Sequence, residues 1–254
     1  RSSGLVSMPG MLETVLNVGL TPAAARELLT EGWRPETVEM MLSHLCESLN
    51  VTHASQLGDI TAQVCRAVER VHSSLNSPHA TAYARELGGV EPGQVAVLLQ
   101  HMVFGNRSSN AGTGVVFSRN PQTGIRELYG EWLDGSQGPS LVSGETSPRT
   151  LTSLRLARPD LFSDLLHISQ LLEQNLHDMQ DIEFTFDEDG MYILQTRPGK
   201  RTDLATVVIA LDLWDEGAVS ADQVRARLQS VDMRTIEINQ QRLSPDLPLD
   251  IVAR

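Results

Sequence analysis

Positive charge is scarce in this sequence. Lys and Arg total 20 against 32 Asp and Glu, a formal net charge of −12, which argues against long-range steering toward nucleic acid. The same field opposes any free anion, so a site for a phosphate-bearing ligand would need a local arginine and a divalent cation. Cysteine is nearly absent: Cys46 and Cys65 lie in helix-patterned segments without a metal-ligating neighbour. They read as buried free thiols suited to a reducing cytoplasm. No apolar run approaches the roughly 18 residues of a membrane span; the longest, Leu204 to Leu213, contains Asp212. Arg1 is preceded by no initiator Met and no apolar targeting segment, so the chain reads as one that has lost its beginning.

What is present suits a folded mixed protein. The 254 residues allow one large domain or two modest ones, and 41% apolar with 20% charged residues is ordinary for a globular chain. Ser7-Met8-Pro9-Gly10 is turn-rich. From Thr21 to about His79 the pattern is helical: Thr21-Pro22 is an N-cap followed by Pro at the first helical position. Met40, Met41, Leu45 and Leu49, then Val64, Ala67, Val68 and Val71, recur at helix spacing. Asn76-Ser77-Pro78 reads as the end of the third helix, and the region as a small three-helix unit. Val95 to Phe104, Gly114 to Phe117 and Glu127 to Leu133 are strand-like, with Asn120-Pro121-Gln122-Thr123-Gly124 as a turn. Asp160 to Met179 is predicted as an amphipathic helix with Leu161, Leu165, Ile168, Leu172 and Leu176 on one side. Irregularly ordered strands and helices imply an α+β or α/β fold.

The most informative stretch is Asp181 to Arg197. Asp181, Glu183 and Thr185 alternate with Ile182, Phe184 and Phe186, the period of a half-buried strand. A three-residue loop, Glu188-Asp189-Gly190, would put Gly190 at the left-handed position of a hairpin. With that loop, Asp187 falls opposite Met191, Glu183 opposite Gln195 and Asp181 opposite Arg197. Two carboxylates, an amide and a guanidinium then share one face. Two readings stand. One is a solvated sheet face with a cross-strand salt bridge worth about 0.2–1 kcal/mol. The other is a magnesium–nucleotide site, in which carboxylate and amide oxygens are hard ligands for Mg²⁺ and Arg197 meets a phosphate.

Several motifs in one order resemble the pyruvate, phosphate dikinases almost end to end. They are Arg1-Ser2-Ser3-Gly4 with Ser7-Met8-Pro9-Gly10-Met11 through Gly19, and Met102-Val103-Phe104-Gly105-Asn106. Gly112-Thr113-Gly114 through Gly124, Tyr129-Gly130-Glu131, Asp178 through Phe184, and Leu194-Gln195-Thr196-Arg197 through Thr202 follow. The resemblance implies an α+β fold of ATP-grasp type with a small helical insertion. Its expected parts are 1–19 and 80–98 from a first lobe, 20–79 as the helical subdomain, 99–202 as the second lobe, and 203–254 as a helical linker toward a phosphohistidine domain. It implies that ATP, with Mg²⁺, passes a pyrophosphoryl group to a histidine on another domain, and that phosphate and pyruvate are the later acceptors. By motif, Arg1 would contact ATP phosphates, and Asp181 and Arg197 would act with it in catalysis. Asp181, Glu183, Gln195 and Arg197 would form the ATP site, with Glu183 and Gln195 as the metal ligands. Gly112, Thr113 and Gly114 could offer backbone N–H groups to phosphates, or be a plain strand-to-strand turn. Glu131 and Gln100 are further residues near such a site, each with an ordinary sheet role as the alternative. His101 and His167, in apolar runs, read as packed side chains.

Departures accompany the resemblance. Leu5 stands where many relatives carry a second arginine, Ala111 replaces a serine before Gly112, and the helical segment 20–79 is short. No phosphocarrier segment and no pyruvate-binding barrel is recognisable, so the chain alone is expected to be inactive. The full-length protein is expected to be cytoplasmic, without nucleic-acid or membrane partners, and a homodimer through other domains. A phosphoenolpyruvate synthase-type domain is the rival enzyme; Ser7-Met8-Pro9-Gly10-Met11 favours the dikinase. A catalytically silent nucleotide-binding regulatory module is the alternative of a different class.

Overall fold

The computed structural model describes residues 1–4, 11–86, 95–137, 147–232, 234 and 236. The chain divides into two compact units, Arg1–Ser109 and Asn110–Arg254. The expected turn at Ser7–Gly10, together with Leu5, lies outside the described residues.

In the first unit a short strand β1 (Ser2–Gly4) pairs antiparallel with β2 (Val95–Val97). Between them run α1 (Pro22–Thr30), α2 (Pro35–Ser48), α3 (Ile60–Ser73) and α4 (Pro78–Glu86). The Thr21 hydroxyl accepts from the Ala24 N–H at 3.1 Å, and Pro22 occupies the first turn as its fixed φ favours. Leu20, Trp33, Val38, Met41, Leu45, Leu49, Leu57 and Ala67 form the core, and Phe104 meets Trp33 edge-on at 5.1 Å. Three expectations are corrected here. The third helix does end before Ser77-Pro78, α3 stopping at Ser73 and a 3-10 turn at Asn76, but the unit is not three helices: the Ser77 hydroxyl accepts from the Ala80 N–H at 3.1 Å, and Pro78 opens a fourth, α4. The strand expected over Val95 to Phe104 stops at Val97; beyond it Phe104 is held by packing on Trp33, not by a ladder. The thiols are not buried, since Cys46 is half-buried and Cys65 exposed. Partial burial and the neighbouring Glu47 nonetheless push the Cys46 thiol up from its ordinary range.

The second unit is built on a five-stranded antiparallel sheet in the order β5-β4-β3-β6-β7. Its strands are β3 (Gly112–Phe117), β4 (Tyr129–Asp134), β5 (Arg149–Thr150), β6 (Gln180–Phe186) and β7 (Met191–Pro198). Helices α5 (Leu151–Ala157) and α6 (Pro159–Leu176) lie on one face. There Val116, Trp132, Ile182, Phe184 and Phe186 pack against Leu151, Leu154, Leu161 and Leu165. A second cluster joins Met179 to α7 (Asp203–Asp215) and α8 (Ala221–Leu228) through Ala205, Ile209, Ala210, Leu213, Val219 and Val224. Mixed helix and sheet agree with the α+β expectation. No helix among the described residues is long and apolar enough to cross a membrane.

The two clusters are tied by a buried charge group. Arg119, at the end of β3, is fully buried. It reaches both carboxylate oxygens of Glu173 at 3.1 Å, Asp212 at 2.9 Å and Glu216 at 3.3 Å. The Ser118 hydroxyl donates to Glu173 at 2.6 Å. Burial alone would lower the Arg119 pKa, but hydrogen bonding to Glu173 and the charges of Glu173, Glu216 and Asp212 outweigh it and raise it. This group also corrects the expected stripe of α6. The buried line runs from Leu161 and Leu165 to Ser169 and Glu173, while Leu176 is half exposed, because Arg119 and Ser118 draw Glu173 inward.

Replacing Arg119 by Met strands Glu173 as an unpaired buried charge. The expected cost is about 3–5 kcal/mol, read as a lowered urea midpoint by Trp132 fluorescence, with partial recovery in the Arg119→Met/Glu173→Leu double variant.

Candidate functional site

The face of the sheet turned away from α5 and α6 carries the polar side chains of the hairpin. Register places Asp181 opposite Arg197 and Glu183 opposite Gln195, as the alternation of β6 predicts. Residues paired in register share a face, so two rows cross the sheet. One is Tyr129, Phe117, Asp181, Arg197; the other is Glu131, Val115, Glu183, Gln195. Glu131 therefore lies on the same face as the hairpin cluster, with Val115 between it and Glu183, and its side chain is exposed.

The expected register fails at the tip. Phe186, not Asp187, faces Met191, and the shift falls between Glu183 and Phe184, which leaves Leu194 as an extra residue in β7. Asp187 instead closes the loop: its N–H donates to the Gly190 carbonyl at 2.9 Å and its carboxylate accepts from the Asp189 and Gly190 N–H groups. Gly190 takes a φ of +147°, a conformation that side chains rarely adopt. The sequence signal for the bulge was available in the consecutive apolar pair Ile193-Leu194, where strict alternation breaks.

Within the cluster, Arg197 Nε donates to Asp181 Oδ2 at 2.8 Å, and its Nη2 lies 3.6 Å from Glu183 Oε1. Asp181 is 8% exposed, and its Oδ1 is buried without a hydrogen-bond partner. Such an atom is costly unless a donor or cation meets it. Glu183 keeps about a third of its side chain in solvent. The donor chemistry fits Mg²⁺: Glu183 and Gln195 offer hard oxygens from facing positions. Among the described residues no group of three or more His, Cys, Asp or Glu side chains could cage an ion alone. That is the usual situation of a cation shared between few protein ligands and phosphate oxygens.

Other expected residues stand elsewhere. Arg1 belongs to the first unit, ahead of β1, where its backbone pairs with Leu98 at 2.7 and 3.0 Å. Gly112, Thr113 and Gly114 do not form a glycine-rich loop or a turn, and this expectation is corrected. They lie inside β3, the middle strand, paired on one edge with β4 and on the other with β6. The glycines are required by packing instead. A Cβ on Gly114 would come 2.5 Å from the Phe184 ring and 2.8 Å from the Glu131 carbonyl oxygen, and one on Gly112 would come 2.6 Å from the Phe186 ring. The Thr113 hydroxyl donates to the Phe184 carbonyl at 3.0 Å. His101 and His167 are exposed rather than packed, and Gln100 lies outside the strands. An unanticipated ion pair borders the cluster: Arg201 binds Asp178 through two bonds at 2.7 and 3.1 Å, and the Thr196 hydroxyl donates to Gln180 at 2.9 Å.

Comparison with known proteins adds the family. The family described as "Pyruvate phosphate dikinase, AMP/ATP-binding domain" matches residues 1–159 and 159–217. Pyruvate, phosphate dikinase of Clostridium symbiosum is 33% identical over 91% of this chain and 32% of its own length. That of Rhizobium meliloti is 32% identical over 90% of this chain and 32% of its own length. The chloroplastic dikinase 1 of Zea mays is 34% identical over 86% and 28% respectively. The chain thus spans about a third of the length of the curated relatives it matches.

Gly114→Ala is expected to cost about 1–3 kcal/mol by forcing β3 and Phe184 apart. Urea unfolding of the second unit checks this; an unchanged midpoint contradicts the packing account.

Proposed function

The chain belongs to the pyruvate phosphate dikinase AMP/ATP-binding family, and from that premise we propose that it supplies the nucleotide site of a dikinase. The reaction proposed for the full-length protein converts ATP, phosphate and pyruvate to AMP, pyrophosphate and phosphoenolpyruvate. In its first step a histidine on another domain attacks the β-phosphorus, the α–β anhydride bond breaks, and AMP leaves. Phosphate then takes the terminal phosphoryl group away as pyrophosphate, and the remaining phosphohistidine serves pyruvate. The fold proposed for the chain is of ATP-grasp type, with the five-stranded sheet of the second unit in its second lobe. Its setting is proposed to be the cytoplasm.

The observation that carries the reading is the buried, unpartnered Oδ1 of Asp181 beside an arginine held by the same carboxylate. Asp181 fixes the Arg197 guanidinium through Nε and leaves the planar fork to meet phosphate oxygens in paired hydrogen bonds. Charge that builds on the β-phosphate and on the departing AMP oxygen is met by a donor already oriented, which needs no reorganisation during the step. Glu183 and Gln195 would hold a magnesium ion, which when bound neutralises phosphate charge that the chain's net charge of −12 would otherwise repel. Arg1 is proposed as a further contact to ATP phosphates.

In the full-length protein, Arg197→Met or Glu183→Gln should lower labelling of the enzyme from β-phosphate-labelled ATP by on the order of 10²-fold or more, with the thermal midpoint nearly unchanged in Glu183→Gln and lowered in Arg197→Met, which leaves the buried Asp181 carboxylate without its partner. Undiminished labelling in either variant would overturn the site assignment.

A further inference from the structure

Helix α7 carries apolar residues around its whole circumference, the pattern of a helix covered on all sides, yet the described residues cover only part of it. Ala205, Ile209, Ala210 and Leu213 are buried against Met179 and α8. On the opposite arc Leu204, Val207, Leu211 and Trp214 recur at three- and four-residue spacing and form a single stripe. Leu211 is 37% and Trp214 50% exposed, while Leu204 and Val207 are half-buried. Single exposed apolar residues are ordinary, but an aligned set on one helix marks a contact surface.

The charge of that surface says what covers it. Every charged residue from Asp203 to Glu216 is acidic: Asp203, Asp212, Asp215 and Glu216. Asp212 and Glu216 turn toward Arg119. Asp203, whose Oδ2 accepts from the Asp232 N–H at 3.2 Å, and Asp215 stand at the two ends of the stripe. A second copy fits poorly, because antiparallel pairing of two such helices brings Asp203 of one against Asp215 of the other. Four side chains also fall well short of the roughly 1,000 Å² that a stable interface between separate molecules needs. A short contact of this kind suffices when the partner belongs to the same chain and is present at high effective concentration. The relatives supply the room for one, being about three times as long as this chain.

We propose that the outer face of α7 seats an amphipathic helix, with apolar residues in its stripe and Lys or Arg at its margins, from the part of the full-length protein outside this chain. The seat rests on α7 and on the relatives' length, so it goes beyond the phosphotransfer reading and stands or falls separately from it.

The test is acrylamide quenching of Trp214, isolated by difference with Trp214→Phe, in the 254-residue chain and in the full-length protein. Trp33 and Trp132 are buried, so Trp214 is the accessible reporter in the chain. The expected result is ready quenching in the chain, several-fold protection in the full-length protein, and slowed amide exchange over residues 204–214 in the latter. Leu211→Asp should remove that protection without changing the thermal midpoint of the chain, and Asp215→Lys should weaken it. Equal quenching in both proteins overturns the proposal. So does protection indifferent to both variants, or sedimentation of the chain alone as a dimer that Leu211→Asp dissociates. ATP labelling is read independently, so its failure leaves the Trp214 result intact.

Discussion

The second unit depends on one conflict in β7 and its resolution. Met191, Ile193, Gln195 and Arg197 all occupy odd positions, so in an unbroken strand they would share a face. The sheet needs the first two against Phe184 and Phe186 and the last two against Asp181 and Glu183. One extra residue, Leu194, reverses the alternation between Ile193 and Gln195 and lets a single strand serve the core at one end and the polar cluster at the other. Without that reversal either Ile193 would lie among carboxylates or Gln195 would be driven into the core, and each alternative leaves a group in the wrong solvent.

Two further constraints stiffen the platform on which the cluster sits. Gly112 and Gly114 let the Phe184 and Phe186 rings lie directly on the backbone of β3, so the middle of the sheet has no slack on its apolar side. At the end of β3, Arg119 gathers carboxylates from α6, α7 and the turn after α7. Its geometry is over-determined by hydrogen bonds from several elements, which favours one arrangement of those helices over alternatives. The cluster is therefore carried by strands held from below, with Asp181 already committed to Arg197 and half-buried Glu183 left to complete its contacts with a ligand.

Much of this was legible in the residues. Alternation in β6 gave the partners Asp181–Arg197 and Glu183–Gln195, because a strand with one buried face has a register that hydrophobicity enforces. What was not legible had physical causes of three kinds. Tertiary pairing overrode a local pattern when Glu173 turned inward to Arg119 and pulled the buried stripe of α6 away from Leu176. One dipeptide served two roles when Ser77-Pro78, a plausible stop, became the cap and first residue of α4. Packing imitated ligand chemistry at Gly112-Thr113-Gly114, where glycines needed by two aromatic rings resemble glycines needed by a phosphate. The stretch after Val97 shows the converse, since Val and Leu content alone does not supply a strand with a neighbour to pair with.

The bulge at Leu194 also bears on how the hairpin can change over evolutionary time or by engineering. Its tip, Glu188-Asp189-Gly190, closes on the Asp187 N–H and carboxylate, and the register of the polar end is set beyond the bulge. The tip is thus buffered: residues gained or lost there can be taken up by the loop and the irregular position, and need not propagate to Gln195 and Arg197. That makes 188–190 a natural place for length variation, or for an inserted epitope or reporter.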